Sequence, residues 1–349
     1  MTDQRRTDRP IDRIRSSGGS FTVGEPGEII QAMISTRDRL FSVTKEAIYA
    51  VQMADQIDPG RTNIALPRTV HQKVLAYGGD SDFVAGTFMT GAELFNMTYL
   101  GASFPTNEAK LLSLELATRL AVLQDTLNAL VENEKRVVAS LDKPPGGSSY
   151  QVPGTPDLRT KVETFAAAAD RIQEIVFALA HLFYPKPKGQ LDTRAHLLAA
   201  VEKATPGRGD FHLAMKNIVS LLHEVREHRN ASVHPDGPKA LLLRDFHLMP
   251  SGQLSAPLME IRHKQFALAE MPVAYYMADR IQHLTEASEA IIAWLCVENI
   301  ALQTGPMFEH HVARLPKGER RSGSRYVYNT VLTGPLPTVE PDAPAGKDE

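Results

Sequence analysis

The sequence is poor in cysteine, has no surplus of charge of either sign and contains no long apolar run. Its one cysteine, Cys296, lies in the apolar stretch AIIAWLCVENI and has no second thiol to pair with, so no internal disulfide holds the fold. Such usage fits a reducing compartment, and a cytoplasmic protein is the expectation. With 38 basic against 41 acidic residues and a formal net charge of -3, the chain as a whole does not attract polyanions. Any affinity for nucleic acid must then come from a local patch. No stretch of about 18 uninterrupted apolar residues occurs, and the opening residues MTDQRRTDRPIDRIRSSGG carry charge without an apolar core. Membrane spanning and secretion are therefore not expected. Neither GxxxxGK nor GxGxxG is present, which leaves nucleotide hydrolysis and dinucleotide chemistry without support. No internal repeat is visible.

What the sequence does have is hydrophobic periodicity. At 349 residues and 43% hydrophobic it can bury the core of one large or two medium domains. Residues 1–27, charged and rich in Ser and Gly, are expected to form a disordered N-terminal segment. From 28 to about 57, Ile30, Ile34, Phe41, Ile48 and Val51 recur at helical spacing and Asp58-Pro59-Gly60 supplies a stop, which predicts a first helix. Glycines at 78, 79, 86, 91 and 101 limit the rest of this N-terminal helical region, 28–106, to short helices.

Stronger signals follow. Residues 107–139 carry Leu112, Leu116, Leu120, Leu123, Leu127 and Leu130 behind a Thr106 N-cap. A further helix opens at Thr155-Pro156, runs through Leu158, Val162, Phe165, Ala169, Ile172, Val176 and Leu179, and stops at Tyr184-Pro185-Lys186-Pro187. A shorter helix is predicted over 192–204. The next, capped by Asp210, buries Phe211, Ala214, Ile218, Leu221, Leu222 and Val225. The runs ALLLRDFHLM and APLMEIRH, parted by Pro250-Ser251-Gly252-Gln253, predict a β-hairpin inserted before a last long helix that starts near Pro272 and runs to about Leu302. Residues 306–349 are expected to be a flexible tail. The fold expectation is all-α: a bundle of long helices, its main domain over 107–305, with a small β-hairpin insertion.

The stretch EVREHRNASVHPDGP, 224–238, concentrates polar chemistry at a helix end. If the helix runs through Arg229, then Asn230 and His234 stack one turn apart on one face. Pro235 disfavours helical geometry at His234, so the helix stops there and the imidazole stands at its end. A guanidinium holds a phosphate through two donors, and an imidazole moves protons near neutrality; together they suit a phosphodiester without a metal. Asn230 donates and accepts, and so can orient the imidazole or a substrate. Arg226 and His228, within a turn of the motif, complete a candidate substrate-binding rim. A plainer reading is that Arg229 and His234 close a capping network at the negative end of the helix dipole.

Arg229-Asn230-Ala231-Ser232-Val233-His234 resembles the Arg-Asn-x-x-x-His motif of the HEPN superfamily, α-helical domains found in toxin, abortive-infection and CRISPR-associated ribonucleases. The motif late in one helix, a proline turn after it and a further long helix match that family's habits. The resemblance covers about 107–302 and implies cofactor-free, metal-independent RNA cleavage by 2′-hydroxyl attack. In it His234 is the proton-transfer residue, Arg229 stabilises the phosphorane charge and Asn230 orients. It also implies a homodimer in which two motifs face one another, and a defence or toxin setting with an antitoxin as partner. The insertion after the motif and the long N-terminal region depart from the minimal domain. The alternative is a non-catalytic helical scaffold, or a module that binds a nucleotide or a protein partner.

Other constellations carry less. HEVREH, 223–228, has one residue too many between its histidines for a zincin pair. His223 and Glu227 stand four apart without a third ligand nearby, so no metal site is expected. RLPKGERRSGSR, 314–325, reads as a solubilising basic linker or a tether for RNA.

Overall fold

The apolar residues between 28 and 57 that predict a helix belong to strands, and the fold is mixed α/β, not all-α: the described residues are about 52% helix and 20% strand, the strands lying in four sheets. The computed structural model describes residues 9–17, 22–24, 27–139, 149–186, 189, 194–236, 238–302, 308–320 and 323–333. The remainder of the expected disordered segment 1–27, of the helix start at 192 and of the expected tail 306–349 lies outside these residues. Within 1–27, Pro10–Ser16 forms a helix, α1.

Strands β1 (Ile30–Ser35), β2 (Leu40–Thr44) and β3 (Ile48–Met53) replace the predicted first helix. Two tight turns explain why. The Thr36 N–H donates to Arg39 O (2.8 Å) and the Thr44 N–H to Ala47 O (2.9 Å), so the chain reverses twice inside the stretch. Ile34 then faces Phe41, and Val43 faces Ile48. The helical spacing of these residues results from strand and turn lengths, while the β-branched side chains suit a pleated surface. After α2 (Ala54–Ile57), β4 (Thr69–Leu75) completes an antiparallel sheet in the order β1-β2-β3-β4. One set of its side chains, Ile34, Phe41, Val43 and Ile48, joins the main core, and another, Tyr49 and Val51, packs with Val23 and Ala47 in a small second cluster.

Helix α3 (Asp82–Val84) runs through a π-helical turn, Ala85–Met89, into α4 (Thr90–Leu94), and α5 (Met97–Leu100) follows. At Gly86 a Cβ would stand 2.7 Å from Glu289 Oε2, so only glycine lets this turn lie against the carboxylate.

The long helices set the frame. α6 (Thr106–Ala139) packs on α7 (Leu158–Phe183), which in turn packs on α9 (Gly209–Val233), while the short α8 (Arg194–Ala204) lies along α9. On α7 the stripe Val162, Phe165, Ala169, Ile172, Val176 and Leu179 is fully buried, each large side chain contributing about 1.5–3 kcal/mol. The insertion after α9 is larger than a hairpin. β5 (Ala240–Arg244), β8 (Leu258–Arg262) and β9 (Leu268–Pro272) form an antiparallel sheet in the order β5-β8-β9, and β6 (His247–Leu248) and β7 (Leu254–Ser255) make a separate small ladder. α10 (Val273–Glu298) then returns through the centre against α6, α7 and α9. Among the described residues no helix is long and apolar enough to cross a membrane.

Residues 308–332, expected to be flexible, include a docked antiparallel hairpin of β10 (Phe308–Arg314) and β11 (Tyr326–Leu332). The Arg325 guanidinium reaches the buried Glu289 carboxylate of α10 at 2.5 Å, and Arg314 approaches the same carboxylate at 3.5 Å. Tyr328 stacks on Tyr99 with ring centroids 3.8 Å apart, and its hydroxyl donates to Leu94 O at 2.8 Å. The basic composition of the segment hides these anchors, because its arginines neutralise a buried carboxylate.

Removing one partner of a buried pair strands the other charge, whereas replacing both with apolar groups is often tolerated. Arg325→Ala is therefore expected to destabilise the protein by about 3 kcal/mol, and Arg325→Met with Glu289→Leu to recover most of that loss. Urea unfolding midpoints check both; a loss under about 0.5 kcal/mol in Arg325→Ala would show that the hairpin contributes no more than an ordinary surface contact.

Candidate functional site

The apolar stripe of α9, Phe211, Met215, Ile218, Leu222 and Val225, is buried against the neighbouring helices and fixes which way the end of the helix faces. The helix holds to Val233. His234 leaves helical geometry at φ -128° and ψ 63°, while its N–H still donates to Asn230 O at 2.9 Å. This is the stop that Pro235 imposes on the residue before it. The His234 side chain is exposed, and among the described residues its ring has no hydrogen-bond partner.

Arg229 and Asn230 are half-buried and joined: Arg229 Nη1 donates to Asn230 Oδ1 at 3.3 Å. Asn230 Nδ2 in turn donates to Glu227 Oε1 at 3.2 Å, one helical turn back. The other Glu227 oxygen lies 3.3 Å from His263 Nε2 and 3.9 Å from Lys239 Nζ, and His223 Nε2 is 3.8 Å from Oε1. His263 stands in the turn between β8 and β9, where its Nδ1 accepts from the N–H groups of Gln265 (3.2 Å) and Phe266 (3.1 Å). Nδ1 is thus an acceptor, which assigns the ring proton to the Nε2 that faces Glu227. The carboxylate orients Asn230, and Asn230 orients the guanidinium of Arg229.

On the α7 side, Asp170 lies in the fields of Arg226 and Arg229. Burial pushes its carboxyl above the ordinary range, against the pull of those two arginines, and among the described residues its Oδ1 has no hydrogen-bond partner. Arg226 is exposed; with the Gln173 amide assigned the orientation in which its nitrogen donates to Leu222 O (3.1 Å), its oxygen accepts from Arg226 Nη1 at 3.3 Å. Arg226 therefore stays on the surface beside the motif.

His228 does not. It is 3% exposed, with Nδ1 accepting from the Tyr276 hydroxyl of α10 (2.9 Å) and Nε2 donating to Phe266 O (3.1 Å). Both ring nitrogens are committed inside the protein, so His228 ties α9, α10 and the β8–β9 turn together and presents nothing to a substrate. Its position one turn beyond the buried Val225 continues the apolar stripe, which is the reason it faces inward. Glu227, Asp170 and His263 are members that sequence reasoning did not place. The three-residue interval from Glu227 to Asn230 is the one local signal among them. Among the described residues no group of three or more His, Cys, Asp or Glu side chains is disposed to hold a metal ion. A cavity of about 720 Å³ between α6 and α10 lies elsewhere, lined by Tyr77, Phe83, Asn128, Ile281 and Arg325 among others.

Burial, above all, holds the His228 imidazole below its ordinary value of 6.5, with Arg280 and His263 acting in the same direction and Glu224 and the Phe266 carbonyl opposing. A group that is harder to protonate in the fold than in the unfolded chain stabilises above its unfolded pKa. That stability is lost as pH falls through 6.5 towards the folded value. The urea midpoint is expected to drop between pH 7.5 and 5.5, and to drop less in His228→Gln, which keeps a donor and an acceptor without titrating. An equal drop in the two proteins would assign the acid sensitivity to other groups, His223 first, whose pKa burial also lowers. Compared with protein-family models, with curated proteins and with solved structures, the chain matches none, so the geometry of this site carries the functional argument.

Proposed function

We propose that the end of α9 is the centre of a metal-independent endoribonuclease of the HEPN type. The observation that carries this reading is the contrast between the two motif side chains. Among the described residues Arg229 is held by a neutral amide and forms no ion pair, while His234, one turn on, stands open to solvent at the helix stop. A guanidinium oriented in advance but not neutralised supplies paired donors to a phosphate and to the extra charge of a phosphorane. An exposed imidazole without a hydrogen-bond partner among the described residues is placed to exchange protons with a bound ribose.

In this reading the 2′-hydroxyl oxygen attacks the adjacent phosphorus as its proton is taken up, and the bond to the 5′-oxygen breaks as that oxygen receives a proton. The products are a 2′,3′-cyclic phosphate and a 5′-hydroxyl, and no water or metal is consumed. His234 is the proton-transfer group, Arg229 lies against the non-bridging oxygens, and Asn230 transmits the orientation set by Glu227. The resemblance also carries a homodimer in which two such sites face one another. A non-catalytic capping network has one observation in its favour, the Asp170 carboxylate whose field reaches Arg229.

The test is cleavage of synthetic RNA by purified protein in excess EDTA. Cleavage leaving cyclic phosphate ends is expected to persist there, and to fall at least about 100-fold in Arg229→Ala and in His234→Ala. The melting temperature of His234→Ala should stay close to that of the parent, since the residue is exposed. Cleavage that requires a divalent ion, or that survives both substitutions, overturns the assignment; no cleavage by the unsubstituted protein leaves the capping network as the role of the motif.

A further inference from the structure

A third arginine approaches the same flank from another helix. Arg194 occupies the first turn of α8, one turn before Leu197, and Leu197 and Val201 are the buried residues that seat α8. Residues three apart share a helix face, so the packing of Leu197 carries Arg194 to the side that meets α9. There its charge is felt by Arg226, Glu227 and His223 of α9.

Arg194 is half-buried, and among the described residues it makes no hydrogen bond or ion pair. Burial and the neighbouring Arg226 both oppose its charge, against the single pull of Glu227. The carboxylates nearby form no ion pair with Arg194 among the described residues. Glu227 already serves Asn230, His263 and Lys239, and Asp170, whose pKa burial raises, lies in the fields of Arg226 and Arg229. The hydrogen-bond partners of Arg226 and Arg229 are the neutral amides of Gln173 and Asn230. Arg194 thus neighbours Arg226, and Arg226 and Arg229 both face Asp170, without any of the three guanidiniums forming an ion pair among the described residues. A cation that is partly desolvated and set against another cation loses free energy unless an anion joins it. Planar guanidinium forks match the oxygens of a phosphate.

We propose that Arg194 and Arg226 form a phosphate-binding subsite beside the motif, taking a backbone phosphate of single-stranded RNA next to the one held by Arg229. The polynucleotide source rests on the nuclease reading; the phosphate chemistry does not. Arg194 is a binding residue here and touches no reacting atom.

The experiment measures fluorescence anisotropy of a labelled oligoribonucleotide against salt, in the His234→Ala background so that the probe stays intact, with and without Arg194→Gln. A parallel arm measures thermal stabilisation of the His234-intact protein by inorganic phosphate and by pyrophosphate. Arg194→Gln is expected to weaken RNA binding about tenfold at low salt and to lower the salt slope by roughly one phosphate contact. Arg194→Lys, which keeps the charge and loses the fork, should fall between. Circular dichroism and the melting temperature control for folding. If the parent never cleaves RNA but Arg194→Gln still abolishes stabilisation by phosphate, the subsite stands and the nuclease assignment falls. Loss of stabilisation by phosphate without any change in RNA affinity keeps the anion site and overturns its polynucleotide source. Unchanged affinity and slope for RNA, together with unchanged stabilisation by both anions, overturn the proposal.

Discussion

The burial of one apolar stripe, Phe211, Met215, Ile218, Leu222 and Val225, is the constraint on which the polar end of α9 depends. Once that stripe is seated against α7, the 3.6-residue period leaves no freedom in where the last two turns point. His228 falls on the inward side and must find partners there. Arg226 and Arg229 fall on the flank that meets Asp170 and Gln173 of α7, and His234 is left at the stop. Rotating the helix to bury Arg229 would expose Leu222 and Val225, at about 1.5–3 kcal/mol for each side chain.

What could be read from the sequence follows the length of the repeating pattern. The helices α6, α7, α9 and α10 are 25 residues or longer and their stripes repeat over about four turns or more, a signal long enough to survive local irregularity. The strands β1, β2 and β3 are five or six residues each, too short to establish a two-residue alternation, and their turns set Ile30, Ile34, Phe41, Ile48 and Val51 at intervals that imitate a helix. The C-terminal hairpin was hidden for a different reason. Arg314 and Arg325 look like solvated charge until Glu289 is known to be buried, and nothing in the sequence of the last helix marks that carboxylate as buried.

At the site, the local motif was legible and its surroundings were not. Arg229, Asn230 and His234 share a helix end, so spacing alone relates them. His228 shows the limit of that method, because adjacency to a motif says nothing about which side of the helix a residue occupies, whereas its interval from Val225 does. Asp170, His263 and Arg194 come from α7, the β8–β9 turn and α8, and only tertiary packing brings them to the same flank. Their contribution is electrostatic and orientational: Glu227 is steadied by His263 and Lys239, and through Asn230 that restraint reaches the guanidinium.

Phe266 closes the far edge of this arrangement. Its carbonyl accepts from the buried His228, its N–H donates to His263, and its ring meets those of His223 at 4.8 Å and His263 at 5.5 Å. The turn is therefore bolted to the interior from below and to the site from the side. With both attachments made, the turn stands as a fixed wall beside the face of α9 that carries His223 and Glu227.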